Sequence, residues 1–273
     1  MDDFDFKKYL AEGRLLREAQ DNPKAIILAG APGAGKGYIL RGLDLGGLKV
    51  MNVDDIFVPL LKKANVTLDL KNATPEERSE QAKQMAAANK QFKGEMEQII
   101  SGKDSFILDG TSASYNTTVK LKDQLDTAGY EVFMLYVYTD LERSLSQNQD
   151  RYEKSDGKDR SLAPAIVMRT WKSVTDNLPK YADLFGSNFV AVANTLDDRM
   201  QDIDKIIDKY LKPFTPTGTK PKTPAQIEKS KIQKAKDKEE IQAMLSDDFI
   251  YDVIEYTMSK EEAQTRIKQF LNS

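Results

Sequence analysis

The sequence predicts an α/β fold in three layers: helices on both faces of a five-stranded parallel sheet, with a helical appendage at the C-terminal end. Three observations carry this. Five short apolar runs alternate with segments of helical spacing, a glycine-rich loop joins the first run to the first helix, and the composition changes after Leu211. Strands that alternate with helices form βαβ units, and their unbroken apolar character suits strands buried on both faces.

The runs are residues 25–28, 49–53, 105–108, 131–138 and 188–192, each rich in β-branched or aromatic side chains. Helical spacing is found at residues 36–43, 56–63, 75–101, 114–128, 141–152, 163–185 and 197–211. Thr74-Pro75-Glu76-Glu77 is a capping box with proline at the first helical position, so the long third helix should begin there. Met85, Ala88, Phe92, Met96 and Ile99 then form a one-sided stripe that should lie on the core. A helix at 3–20 and the core at 24–211 make up a first domain, residues 1–211.

Residues 212–223 hold Pro213, Pro216 and Pro221 among Thr and Lys and read as a linker. Residues 224–273 form a helical extension, introduced by a second capping box, Thr223-Pro224-Ala225-Gln226. A third box, Ser259-Lys260-Glu261-Glu262, opens the last helix. Eight lysines lie between 212 and 238, whereas residues 239–255 hold six acids and no base. Such a bipolar segment suits docking on the main domain or on a protein partner.

Composition narrows the chemistry. The chain has 273 residues, 40 basic and 43 acidic side chains, and neither cysteine nor histidine. Disulfides, thiolate nucleophiles, Cys/His zinc sites and Ser–His–Asp triads are excluded, so a general base must be Asp, Glu, Lys or Tyr. A net charge of −3 provides no global field for nucleic acid or an anionic membrane. The charged N-terminus and the lack of a long apolar run predict a cytoplasmic protein with no membrane association.

Gly30, Ala31, Pro32, Gly33, Ala34, Gly35 and Lys36 fit the G-x-x-x-x-G-K phosphate loop, between a strand and a helix as that motif requires. Inward-pointing amides and the helix N-terminus bind phosphate, and Lys36 adds charge for the β- and γ-phosphates of ATP. This specifies the three-layer fold as that of P-loop NTPases and kinases. Gly37 and Tyr38 follow, where Ser or Thr normally holds Mg²⁺. The ion would instead be held by phosphates, water and carboxylates. Two acidic clusters end strands at the edge where open sheets bind ligands. Asp54 could accept a proton from an attacking hydroxyl, and Asp109 could hold a magnesium-bound water. Asp55 reads equally well as a helix-capping acid. Arg143, Arg151 and Arg160 surround a polar loop at 153–159, the usual place of a lid whose guanidinium groups neutralise a transferred phosphoryl group. A solvated charged surface is the other reading, above all for Arg143.

Residues 24–194, about two thirds of the chain, resemble the zeta-toxin family of P-loop kinases. The resemblance rests on the phosphate loop, Asn52-Val53-Asp54-Asp55, Leu108-Asp109-Gly110-Thr111, Ala128-Gly129-Tyr130-Glu131-Val132, Arg151-Tyr152-Glu153 and Asp176-Asn177-Leu178-Pro179, in that family's order. It implies Lys36 on the ATP phosphates and Asp54 as the base, with Asp55 one position away. It also implies Asp109 and Thr111 near substrate and metal, and Arg151 and Arg160 as lid arginines. Its members phosphorylate UDP-N-acetylglucosamine, and several are toxins restrained by a small antitoxin. The chain departs from the pattern at Gly37, at Asp109 where Glu is usual, and at residues 112–114, which lack the usual Arg.

The first functional expectation is therefore an ATP- and Mg²⁺-dependent kinase acting on a small-molecule hydroxyl, such as that of a nucleotide sugar. A nucleoside, nucleotide or polynucleotide kinase is the alternative. A nucleotide-binding protein of little turnover that docks a partner through residues 224–273 is the alternative of another class. The lysines near the linker leave a nucleic-acid acceptor open, but a solvated basic helix is the better account of them, and no aromatic residues are interleaved with them.

Overall fold

The computed structural model describes residues 22–43, 47–69, 73–156, 159–195, 203–210 and 223–273. The expected helix at 3–20, nearly all of the linker, and Gly157 and Lys158 of the polar loop lie outside the described residues. In chain order the elements are β1 (Lys24–Ala29), α1 (Lys36–Leu43), β2 (Lys49–Met51), α2 (Asp54–Lys63), α3 (Pro75–Gly102), β3 (Phe106–Leu108) and α4 (Tyr115–Thr127). They continue with β4 (Glu131–Tyr138), α5 (Leu141–Lys154), α6 (Pro164–Asp176), α7 (Leu178–Phe185), β5 (Phe189–Ala193) and α8 (Ile203–Tyr210). Then follow α9 (Pro224–Met244), α10 (Asp247–Glu255), β6 (Thr257–Met258) and α11 (Lys260–Asn272).

The sheet order is β2-β3-β1-β4-β5-β6 and every pairing is parallel. The strand count is six rather than the expected five. Thr257 and Met258 pair with Ala191 and Val192, and a run of two residues is too short to register as a strand in the sequence. Side-chain alternation assigns the two faces. Ala25, Ile27 and Ala29 of β1 lie in a core with Phe106, Met134, Tyr136, Val174 and Tyr181, under α3, α4, α6 and α7. Ile26 and Leu28 lie in the opposite core with Ile39 and Leu43 of α1 and Ala263, Ile267 and Phe270 of α11. The last helix thus shares one face of the sheet with the helix that follows the phosphate loop.

The long helix α3 starts as read. Thr74 and Glu77 form a reciprocal capping box, and Ala88, Met96 and Ile99 are buried along one face. Thr223 and Gln226 do the same for α9, and Ser259 caps α11 through the amide of Glu262. Residues 163–185, read as one helix, form two. Pro179 has no amide to continue the ladder, and Asn177 is shared by the end of α6 and the start of α7. The break has a use: Asn177 Nδ2 donates to Ala113 O at 3.1 Å. Nearby the Tyr181 hydroxyl donates to Ser112 O at 2.6 Å and lies 3.1 Å from Thr118 Oγ1. Ser112 itself sits at φ 51° and donates to Leu28 O beside the phosphate loop.

Tyr181→Phe keeps the ring but leaves a half-buried carbonyl without its donor, a loss of about 1 kcal/mol. Urea unfolding should show a lower midpoint with an unchanged slope. Among the described residues no helix is long and apolar enough to cross a membrane.

Candidate active site

The candidate site lies at the carboxyl edge of β1, β2 and β3. Its floor is the loop between Ala29 and Lys36, which neighbouring elements hold from three sides. Gly30 donates its amide to Thr111 O at 3.2 Å, placing Thr111 against the loop through its backbone. Ser144 of α5 donates to Pro32 O at 2.6 Å. Asn194, just past β5, donates to Ala34 O at 2.8 Å. With its amide nitrogen turned toward the loop, Gln147 donates to Gly33 O and accepts from Arg143 Nε, both at 3.0 Å.

Two glycines are dictated by this grip. Gly33 has φ 78° and Gly35 has φ 81°. A Cβ at the first would overlap Ser144 O, and at the second the Asn194 amide nitrogen. Gly37 is different, because a Cβ there would meet only Arg41 Nη1, at an ordinary 3.6 Å. A hydroxyl-bearing side chain would fit at this position. Tyr38 is 61% exposed.

Lys36 opens α1, and its ammonium donates back to Gly30 O at 3.1 Å. Burial holds its pKa below the ordinary lysine value. The charges of Asp109 and Asp54 oppose that shift, whereas Arg151 reinforces it. Asp109 shows the mirror image. Burial pushes its carboxyl above the usual range, against Lys36 and a hydrogen bond from Asn52 Nδ2 to Oδ2 at 3.0 Å. Lys36, Asp54, Asp109 and Arg151 therefore share one electrostatic environment although they come from four parts of the chain.

Asp54 begins α2, where the Asn52 side chain accepts its amide at 2.9 Å. Both its carboxylate oxygens lie 2.7 Å from Arg160 Nη2, and both side chains are only 16% exposed. The Arg160 guanidinium also lies over the Phe57 ring, 5.7 Å from its centre, and its buried Nε has no protein partner. Arg151 pairs with Asp159 and is half exposed. The segment carrying Arg160 is fixed beyond it: Ser161 bridges Asp69, and Leu162 exchanges two hydrogen bonds with the Asn148 side chain. Asp55 is exposed in the first turn of α2, where its charge complements the helix dipole.

The residues expected in a common cleft are thus found around the phosphate loop, apart from Asp55, which faces solvent. Ser144, Gln147 and Asn194 are not singled out by the sequence, and Asn52 stands there only as part of a motif, without a role. Asn52 and Asn194 stand where strands end, the one signal that could have singled them out. No group of three or more acids that could ligate a metal occurs among the described residues. Asp109 alone, with one oxygen taken by Asn52, suits a hydrated Mg²⁺ that keeps most of its ligands as water and phosphate oxygen.

A family model described as Zeta toxin matches residues 9–208. No curated protein matches the chain. Among solved structures, a chain of the AvrRxo1-ORF1:AvrRxo1-ORF2 complex with sulphate ions is 16% identical, with a TM-score of 0.50, over 95% of this chain and 86% of that one. A structure of the PezAT chromosomal toxin–antitoxin system of Streptococcus pneumoniae is 18% identical, with a TM-score of 0.48, over 86% and 95% of the two chains. The first of these likenesses is one of fold.

Proposed function

The chain belongs to the zeta-toxin family and is a P-loop phosphotransferase, and from that premise we propose that it transfers the γ-phosphoryl group of ATP to a hydroxyl of a nucleotide sugar such as UDP-N-acetylglucosamine. One observation carries the reading. Lys36, Asp54, Asp109, Arg151 and Arg160 converge on the outer side of a phosphate loop, at the edge of the sheet where such a loop presents its ligand.

In this reading the amides of Gly33, Gly35, Lys36 and Gly37 and the Lys36 ammonium bind the phosphates, whereas those of Ala34 and Tyr38 donate within the loop, to Ala31 O and Gly35 O. The negative charge of ATP favours the protonated lysine that burial alone disfavours. Asp109, through water, would hold Mg²⁺ together with the phosphates, and the ion when bound would supply charge neutralisation there. Asp54 orients the acceptor hydroxyl and takes its proton as the oxygen attacks the γ-phosphorus, and ADP leaves. Thr111 borders the acceptor, and Asp55 stands at its outer rim. For Asp54 to take that proton, Arg160 must first leave it for the γ-phosphoryl group, which frees the carboxylate, and Arg151 approaches the same group from the lid. A small antitoxin-like inhibitor, or another protein on residues 224–273, completes the partners of this reading.

A second reading, a nucleotide-binding protein of little turnover, is favoured by Gly37 and by the engagement of both Asp54 oxygens with Arg160. Gly37→Ser separates the two. The space at Gly37 admits the side chain, and its hydroxyl would add a ligand for Mg²⁺. For a kinase, half-maximal transfer should need roughly tenfold less Mg²⁺, about 1.4 kcal/mol of added metal binding. A protein without turnover would bind MgATP more tightly and still transfer nothing.

The proposal is tested by mass spectrometry of acceptors incubated with ATP, Mg²⁺ and the protein. UDP-N-acetylglucosamine, nucleosides, nucleoside monophosphates and a 5′-hydroxyl oligonucleotide are offered together. A single phosphoryl group gained by the nucleotide sugar alone is expected. A gain by another acceptor reassigns the substrate, and no gain by any supports the second reading.

A further inference from the structure

The C-terminal segment reaches the same edge of the sheet as the phosphate loop. Because β6 runs parallel to β5 with Met258 opposite Val192, its following turn emerges beside Asn194, the residue that holds Ala34 O. Ser259 caps α11 there, and Lys260, the first residue of α11, sets its ammonium 4.9 Å from the centre of the Tyr38 ring. This approach is fixed by packing. Gln264, one turn further on, donates to Leu43 O at 3.1 Å, and Ala263 and Ile267 are buried in the core that holds Ile39 and Leu43.

Tyr38 is the second residue after Lys36. In a phosphate loop the backbone amides cradle the α- and β-phosphates while the lysine reaches on to the β- and γ-phosphates, so the α-phosphate lies against the backbone where the loop runs into the helix. The exposed Tyr38 ring and the ammonium over it therefore stand at the α-phosphate and ribose end of a bound nucleotide. An exposed cation–π contact is weak by itself, and a phosphate beside it gives the ammonium a stronger counter-charge.

We propose that Lys260 is a nucleotide-binding residue that contacts the α-phosphate of ATP, with the Tyr38 ring as the platform that holds its ammonium there. The inference rests on the reading of residues 30–38 as the nucleotide site. It gives this chain a cation, delivered by its last helix, beside a loop in which Gly37-Tyr38 follow Lys36 instead of Ser or Thr.

The test is calorimetric titration of the full chain with adenosine, AMP, ADP and ATP, comparing the parent protein with Lys260→Met, Lys260→Arg, Tyr38→Leu and Lys36→Met. Lys260→Met should weaken AMP, ADP and ATP by a common factor of about tenfold and leave adenosine unchanged, Lys260→Arg should restore most of the loss, and Tyr38→Leu should reproduce part of it. Thermal unfolding of each variant reports whether α11 stays docked. Unchanged AMP affinity in Lys260→Met, an equal loss for adenosine, or no recovery in Lys260→Arg would overturn the proposal. Lys36→Met distinguishes the wider failure. If it binds ATP as the parent does, the nucleotide site itself is misplaced and the inference falls with it.

Discussion

Asp54→Asn is expected to lower the rate of phosphoryl transfer by about 10²–10⁴-fold, the usual contribution of a positioned general base. ATP affinity should hold or rise slightly. Asparagine keeps the size of the side chain and removes a negative charge that otherwise faces the phosphates, so nucleotide binding loses nothing. It also breaks the Arg160 pair, in which one guanidinium nitrogen lies 2.7 Å from each carboxylate oxygen. A purely structural ion pair would give a different signature: a lower unfolding temperature, with kcat and KM changing only as far as the folded fraction changes. Steady-state kinetics, ATP titration and thermal unfolding on the same sample separate the two. A rate loss far beyond any fall in the folded fraction, with ATP binding retained, is the result expected for the base, even though loss of the Arg160 pair lowers the unfolding temperature.

Lys36→Met should have the larger effect on binding. Methionine matches the length of the side chain but carries no charge, so it removes the ammonium that donates to Gly30 O of the loop. ATP affinity should fall by about 100-fold, roughly 2.7 kcal/mol at 1.36 kcal/mol per tenfold, and transfer should fall further because the same charge acts on the transferred group. Stability should move the other way. The Lys36 pKa is lower in the folded chain than the ordinary lysine value, chiefly because burial penalises the charge. Between those two values the unfolded chain binds more protons, so stability rises with pH across that window, and below it the buried charge is a net cost. The methionine variant should therefore unfold at the same temperature or higher at neutral pH, and lose the part of the pH dependence that Lys36 contributes. A residue that lowers stability and is needed for ATP is one retained for binding.

The phosphate loop was legible because its geometry is set by backbone. Only glycine tolerates the angles and close approaches at positions 33 and 35, so the motif records the structure directly. The long runs of β1 and β4 were legible for a similar reason, since strands buried on both faces must be apolar throughout. What escaped was non-local. β6 is two residues whose strand character comes entirely from pairing with β5. The break at Asn177 followed from Pro179, which was in plain view, but its purpose, a hydrogen bond to Ala113 O, depends on a loop 64 residues away. In the site, the charged residues stood out by type and by their places at strand ends, whereas Asn52, Ser144 and Asn194 are ordinary polar residues whose roles exist only once the loop is folded against them. The engagement of Arg160 with Asp54 is of that kind too. Both residues were singled out, yet no spacing predicts that they hold each other.

In the proposed function this cleft moves the γ-phosphoryl group of ATP onto a hydroxyl. Phosphorus-31 NMR of ATP, Mg²⁺ and UDP-N-acetylglucosamine with the protein follows every phosphate at once. Loss of the γ signal, appearance of ADP and growth of one new phosphomonoester signal, all abolished by Lys36→Met and by Asp54→Asn, is the result predicted. An unchanged ATP spectrum, or ADP accompanied only by inorganic phosphate, would contradict it.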